Sequence, residues 1–91
     1  MQHFAKNLKG DIKNPSYKKQ YEEQLERLRL GIKIAKLRQN LGITQSQLAQ
    51  RAHTSQQAIS HIEAATYSRI SLLTLQKLAS TMGKSLVIDF R

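Results

Sequence analysis

Between Tyr17 and Leu41 an apolar side chain returns every three or four residues, at Tyr17, Tyr21, Leu25, Leu28 and Ile32, then at Ile34, Leu37 and Leu41. That spacing predicts a helix of about seven turns. Asn14 can cap it and Pro15 suits its first position, while Asn40-Leu41-Gly42 ends it. Gly31 sits inside the run, costs about 1 kcal/mol relative to alanine, and predicts a kink or break there. Upstream, Phe4, Leu8 and Ile12 recur every four residues and predict a short amphipathic stretch bounded by Gly10 and Pro15.

Beyond Gly42 the elements are shorter. Thr44 is placed to cap a helix over 45–52 with Leu48, Ala49 and Ala52 on one side. His53-Thr54 breaks it, and Ser55 caps a third helix running to Ala64 or Ala65. After a loop over 65–70, Ser71 opens a fourth helix whose apolar positions are Leu72, Leu75, Leu78, Ala79 and Met82, closed by Gly83. Leu86, Val87, Ile88, Asp89 and Phe90 then read as a strand of β-branched and aromatic residues. A lone strand needs a pairing partner, so this one predicts contact with its two-fold mate or with a partner protein.

Composition narrows the chemistry. The 91 residues carry fifteen Lys and Arg against six Asp and Glu, a formal net charge of +9. Ten basic and four acidic groups lie in residues 1–40, against five and two in 41–91, and no run is long enough for a charged tail. The balance favours nucleic acid or an acidic surface as partner, and solvated lysines account for the same count without either. No cysteine is present, which excludes disulfides, thiolate metal sites and thiol nucleophiles. The longest aliphatic run, Leu86-Val87-Ile88, falls far short of the roughly 20 residues of a membrane helix. The first residues hold no apolar export signal, so no membrane partner and a cytoplasmic location are expected. Catalysis is not expected: His53 and His61 would lie about 12 Å apart along a helix, too far for one zinc ion. Ser60 and His61 are neighbours that do not face one another on a helix, so no nucleophile–base pair forms. No metal or cofactor is expected.

The third helix holds the most informative pattern. At about 100° per residue, Gln56, Ser60, Ala64, Gln57 and His61 share one side and Ala58, Ile62 and Ile59 the other. The polar side has two amides, a hydroxyl and an imidazole and no long charged chain. Glutamine can pair with the N6/N7 edge of adenine, and serine or histidine can bond base edges. A polar, solvated helix face is the competing reading.

A short helix, a tight break and a second helix form the helix-turn-helix arrangement. Residues 34–63, IAKLRQNLGITQSQLAQRAHTSQQAISHIE, resemble the helix-turn-helix of the phage repressor/Cro and Xre family. The features that match are Leu37-Arg38, Leu41-Gly42-Ile43, Thr44-Gln45, Leu48-Ala49, Ser55-Gln56-Gln57, Ile59 and Ile62-Glu63. The resemblance implies an all-α, five-helix-type repressor-like domain that binds operator DNA as a homodimer. It implies base contacts from Gln45, Gln56, Gln57, Ser60 and His61. Phosphate contacts would come from Thr44, Gln45, Ser55 and Arg69, and Arg38 with Glu63 would form an internal ion pair. His53 and Ala65 stand where the family usually has glycine; histidine tolerates a left-handed backbone better than alanine does, so the 64–70 loop is expected to differ in shape.

The flanks resemble those of HigA-type antitoxins and, less closely, HipB-type ones, in N-P-S-Y-K-K-Q-Y-E and S-L-L-T-L-Q-K-L-A-S-T-M-G-K-S-L-V-I-D-F. This implies an antitoxin that neutralises a toxin and represses its own operon, with a stand-alone phage or mobile-element repressor as the alternative. The expected organisation is an arm and amphipathic helix over 1–28, a DNA-binding domain over 29–83 and a strand over 84–91. Phe4, Leu8, Ile12, Tyr17, Tyr21 and Leu25 could lie across the toxin, or the tyrosine stripe could cover the domain's own core. A basic RelE/HigB-like toxin would gain nothing from a +9 chain, so binding is mainly apolar or the partner is acidic, as a HipA-like kinase could be.

Overall fold

The computed structural model describes residues 15–90. Phe4, Leu8 and Ile12 lie outside the described residues. The helices are α1 (Pro15–Asn40), α2 (Gln45–Arg51), α3 (Gln56–Glu63) and α4 (Leu72–Thr81).

Side chains start the three short helices. Thr44 Oγ1 accepts from the Gln47 N–H at 3.0 Å while Gln47 Oε1 accepts from the Thr44 N–H at 2.9 Å, a closed capping box. Ser55 and Ser71 accept from the N–H groups of Ala58 and Thr74. The same helices end on a shared backbone device. The N–H groups of Thr54, Thr66 and Lys84 reach back to the carbonyls of Ala49, His61 and Ala79 at 2.9, 2.9 and 2.7 Å. The residue before each lies in the left-handed region: His53 at φ 56°, Ala65 at 59° and Gly83 at 71°. Two non-glycine residues thus hold a conformation that favours glycine, at a cost of about 1–2 kcal/mol for a residue such as alanine.

Leu48, Ile59 and Leu78, one from each short helix, are fully buried, and α1 adds Ile34 from one side. Helix α3 packs on both α1 and α2, and α4 packs on α2. The radius of gyration is 15.4 Å, against the roughly 11–12 Å of a compact chain of this length, consistent with a 26-residue α1 of about 39 Å that outruns the domain.

Three expectations require correction. The N-terminal extension and first domain helix are one continuous helix, so the described residues hold four helices rather than a five-helix unit. Gly31 does not break α1, which runs on from Pro15 to Asn40. It is buried where α1 crosses the end of α3, and a Cβ there would collide with the carbonyl oxygen of Ile62 and sit 3.0 Å from that of Glu63. The missing side chain permits this close helix approach. Nor do Leu86, Val87, Ile88, Asp89 and Phe90 form a strand: residues 84–90 carry no regular structure. Their β propensity is local, whereas a strand needs a ladder, and no neighbouring strand exists among the described residues. Val87 and Phe90 are left 83% and 97% exposed.

Candidate nucleic-acid interface

The orientation of α3 is set by burial of Ile59 and Ile62 against the core. Locking that side inward turns the other outward. Gln56, Gln57, His61 and Ala64 are exposed and Ser60 is half-buried, so the five predicted polar and small positions share one open face. No lysine, arginine or acid stands among them until Glu63, which faces inward. Two turns of helix bearing short hydrogen-bonding groups can enter a groove about 12 Å wide and meet base edges.

Beneath this face lies a polar clasp. The Arg38 guanidinium donates from Nε to Glu63 Oε2 at 2.7 Å and from Nη2 to Oε1 at 3.0 Å, a bidentate ion pair. Its Nη1 donates to the Ile43 carbonyl at 2.8 Å, and Gln45 Nε2 donates to Glu63 Oε1 at 3.1 Å. Four segments are joined: α1, the turn after it, the start of α2 and the end of α3. The Arg38 and Glu63 side chains are 14% and 8% exposed. Burial pushes the Glu63 carboxyl up, but hydrogen bonds from Arg38 and Gln45 and the charge of Arg38 outweigh it and hold the group below its ordinary value. The hydrogen bond to Glu63 raises Arg38 against its own desolvation.

The clasp alters the role read for Gln45. One amide hydrogen is committed to Glu63 and the side chain is half-buried, so the other amide hydrogen and its backbone N–H are what it can offer a phosphate. Thr44 and Ser55 use their hydroxyl oxygens as helix caps, and each keeps its own proton to donate. Arg69 is exposed in the loop between α3 and α4, on the rim of an open cleft of about 420 Å³. Thr54, His61, Thr66, Ser68 and Ser71 line the same cleft. The sequence expectations missed this ring of hydroxyls; Thr66, Ser68 and Ser71 around Arg69 were its only signal. The Tyr67 hydroxyl donates to the Arg27 carbonyl at 3.4 Å and pins the loop to α1. Burial pushes that phenol up, with Arg27 opposing and Glu26 assisting.

Other sequence-predicted residues lie elsewhere. Tyr17, Tyr21 and Leu25 are half-buried on the part of α1 that runs beyond the domain. Leu86 and Val87 line an apolar groove with Leu30, Ile34, Leu37 and Met82. Among the described residues no cluster of His, Cys, Asp or Glu could hold a metal ion, and no helix is long and apolar enough to cross a membrane.

A helix-turn-helix family model matches residues 34–88, from mid-α1 through α4 and into the tail. No curated protein and no solved structure matches the chain. The match supports double-stranded DNA as the ligand and transcription regulation as the role.

Proposed function

The chain belongs to the helix-turn-helix family of the Xre/Cro–CI type, and from that premise we propose an antitoxin that represses its own operon as a homodimer and neutralises a toxin protein. The observation that carries the DNA half is the outward face of α3, where Gln56, Gln57, Ser60 and His61 stand together with no lysine, arginine or acid of the helix among them. Gln56 and Gln57 read adenine edges, with Ser60 and His61 further along the groove. Arg69, Thr44, Ser55 and Gln45 hold phosphates on either side. A two-fold dimer sets two such faces about 34 Å apart, so the operator is a palindrome with half-sites one helical turn from centre to centre.

The toxin half is supported by the part of α1 that the DNA-binding domain does not use. Tyr17 and Tyr21 open that stretch, and the arm bearing Phe4, Leu8 and Ile12 precedes it. An appendage of this kind suits a protein partner better than a duplex. Selection from a random DNA library tests the first half: enrichment of a palindrome supports it, and binding to all sequences alike refutes it. Co-expression with the adjacent reading frame tests the second. Relief of that frame's toxicity by this chain supports the antitoxin, while a harmless neighbour leaves a stand-alone repressor.

A further inference from the structure

We propose that the outer side of α1 is a dimerisation seam for a second copy of this chain, with the two helices antiparallel. The proposal gives the homodimer of the preceding section an interface and rests on that reading only for the presence of a dimer; Tyr21 and Leu25 then belong to the seam, which leaves Tyr17 and the residues before it for a toxin.

Helix α1 has two apolar stripes. Leu30, Gly31, Ile34 and Leu37 face the domain. Tyr21, Leu25, Leu28, Ile32 and Ala35 follow one another at steps of four, three, four and three, the heptad spacing of a coiled-coil seam. On a helical wheel this second stripe is centred about 150° from the first. Nothing in the domain covers its middle: Leu28 and Ile32 are each 44% exposed. A chain rich in lysine and arginine that still places leucine and isoleucine on the solvent side of its longest helix has an apolar surface to bury.

Charge selects the occupant and its direction. Lys18 precedes the stripe at the next seam position. Parallel helices in register would set Lys18 against Lys18 and bring no opposite charges together along the flanks. Antiparallel helices with Leu25 of each copy against Leu28 of the other put Tyr21 against Ile32, and Lys18 against Ala35 at the ends. In that register Glu22 of each copy lies within about 3 Å, measured along the axis, of Arg29 of the other, so two opposite-charge pairs flank the seam. A shift by one heptad would set Arg29 beside its own mate. Arg29 already contacts Glu26 of its own helix at 3.1 Å, in an exposed pair that leaves it on the flank.

Sedimentation equilibrium of the full chain without DNA, from about 1 to about 500 μM, tests the seam, and dimer should form within that range. Leu28→Lys, with helicity checked by circular dichroism, should weaken association at least about 30-fold. Register is tested by Glu22→Lys and Arg29→Glu chains. Each should self-associate several-fold less than the parent, because each sets like charges together. Their mixture should regain the parent affinity: the introduced lysine of one chain then meets the introduced glutamate of the other, and the unchanged Arg29 meets the unchanged Glu22. A chain monomeric throughout, a dimer indifferent to Leu28→Lys, or a mixture no tighter than its components overturns the proposal. So does a Leu28→Lys chain that stays dimeric but no longer binds the product of the adjacent reading frame, which would assign the stripe to a toxin. Because no DNA is used, failure here is separable from failure of operator recognition.

Discussion

Adding one methyl group at Gly31 is the sharpest test of how this fold positions its DNA-reading helix. In an exposed helix, Gly→Ala gains about 1 kcal/mol from propensity. Here the new Cβ would meet the carbonyl oxygens of Ile62 and Glu63, with the Glu63 carbonyl carbon 3.3 Å away. These are backbone atoms and cannot rotate aside, so α1 and α3 must separate. Overpacking of this kind costs about 1–3 kcal/mol. The same separation stretches the Arg38–Glu63 fork, now 2.7 and 3.0 Å, and loosening a largely buried ion pair adds about 1–2 kcal/mol. After subtracting the propensity gain, Gly31→Ala should destabilise the chain by about 1–4 kcal/mol, a fall in Tm of roughly 5–30 °C. Urea unfolding followed by circular dichroism measures it, with Lys33→Ala as a near-neutral exposed control on the same helix. A Gly31→Ala chain as stable as the parent, or more so, would refute the close-approach argument and restore Gly31 as a tolerated helix glycine.

Gln56→Ala and Gln57→Ala should each cost about 1–3 kcal/mol on the selected operator while leaving binding to random DNA unchanged in a gel-shift competition. Arg69→Ala should weaken all sequences alike and flatten the slope of log affinity against log salt by about one unit. The Glu63 carboxyl sits below its ordinary value of 4.5 when folded, so its contribution is fully present above that pH. It is lost as the pH falls through the lower folded value, and Glu63→Gln should flatten that acid limb in a stability–pH series. The same substitution leaves Arg38 without its counter-charge and should cost about 2–3 kcal/mol at neutral pH, toward the low end for a buried pair because some solvent reaches it.

What the sequence made legible was local. Thr44, Ser55 and Ser71 are side-chain acceptors just ahead of apolar periodicity, and each caps a helix. Burial of Ile59 and Ile62 follows from their spacing, and the open face of Gln56 and Gln57 follows from that burial. What stayed hidden depended on a second segment. Gly31 as a sequence position cannot show whether its missing side chain serves a bend or a crossing, and the answer lies in the carbonyls of Ile62 and Glu63. Gln45 reads as a free amide until Glu63, 18 positions later, takes one of its hydrogens. The Leu86–Phe90 segment carries strand composition without a strand, because pairing is a property of two chains or segments and composition belongs to one. His53 and Ala65 in left-handed conformations show the reverse, a turn geometry kept by hydrogen bonds to Ala49 and His61 where glycine is absent.

Replacing operator adenines one at a time with 7-deaza-adenine, which removes the N7 acceptor and keeps the pairing edge, tests base reading by α3 most directly. The parent chain should lose affinity at particular adenines, and Gln56→Ala or Gln57→Ala should abolish the loss at the adenine that each reads. Equal losses in parent and variants at every position would contradict the claim that these amides sense base identity.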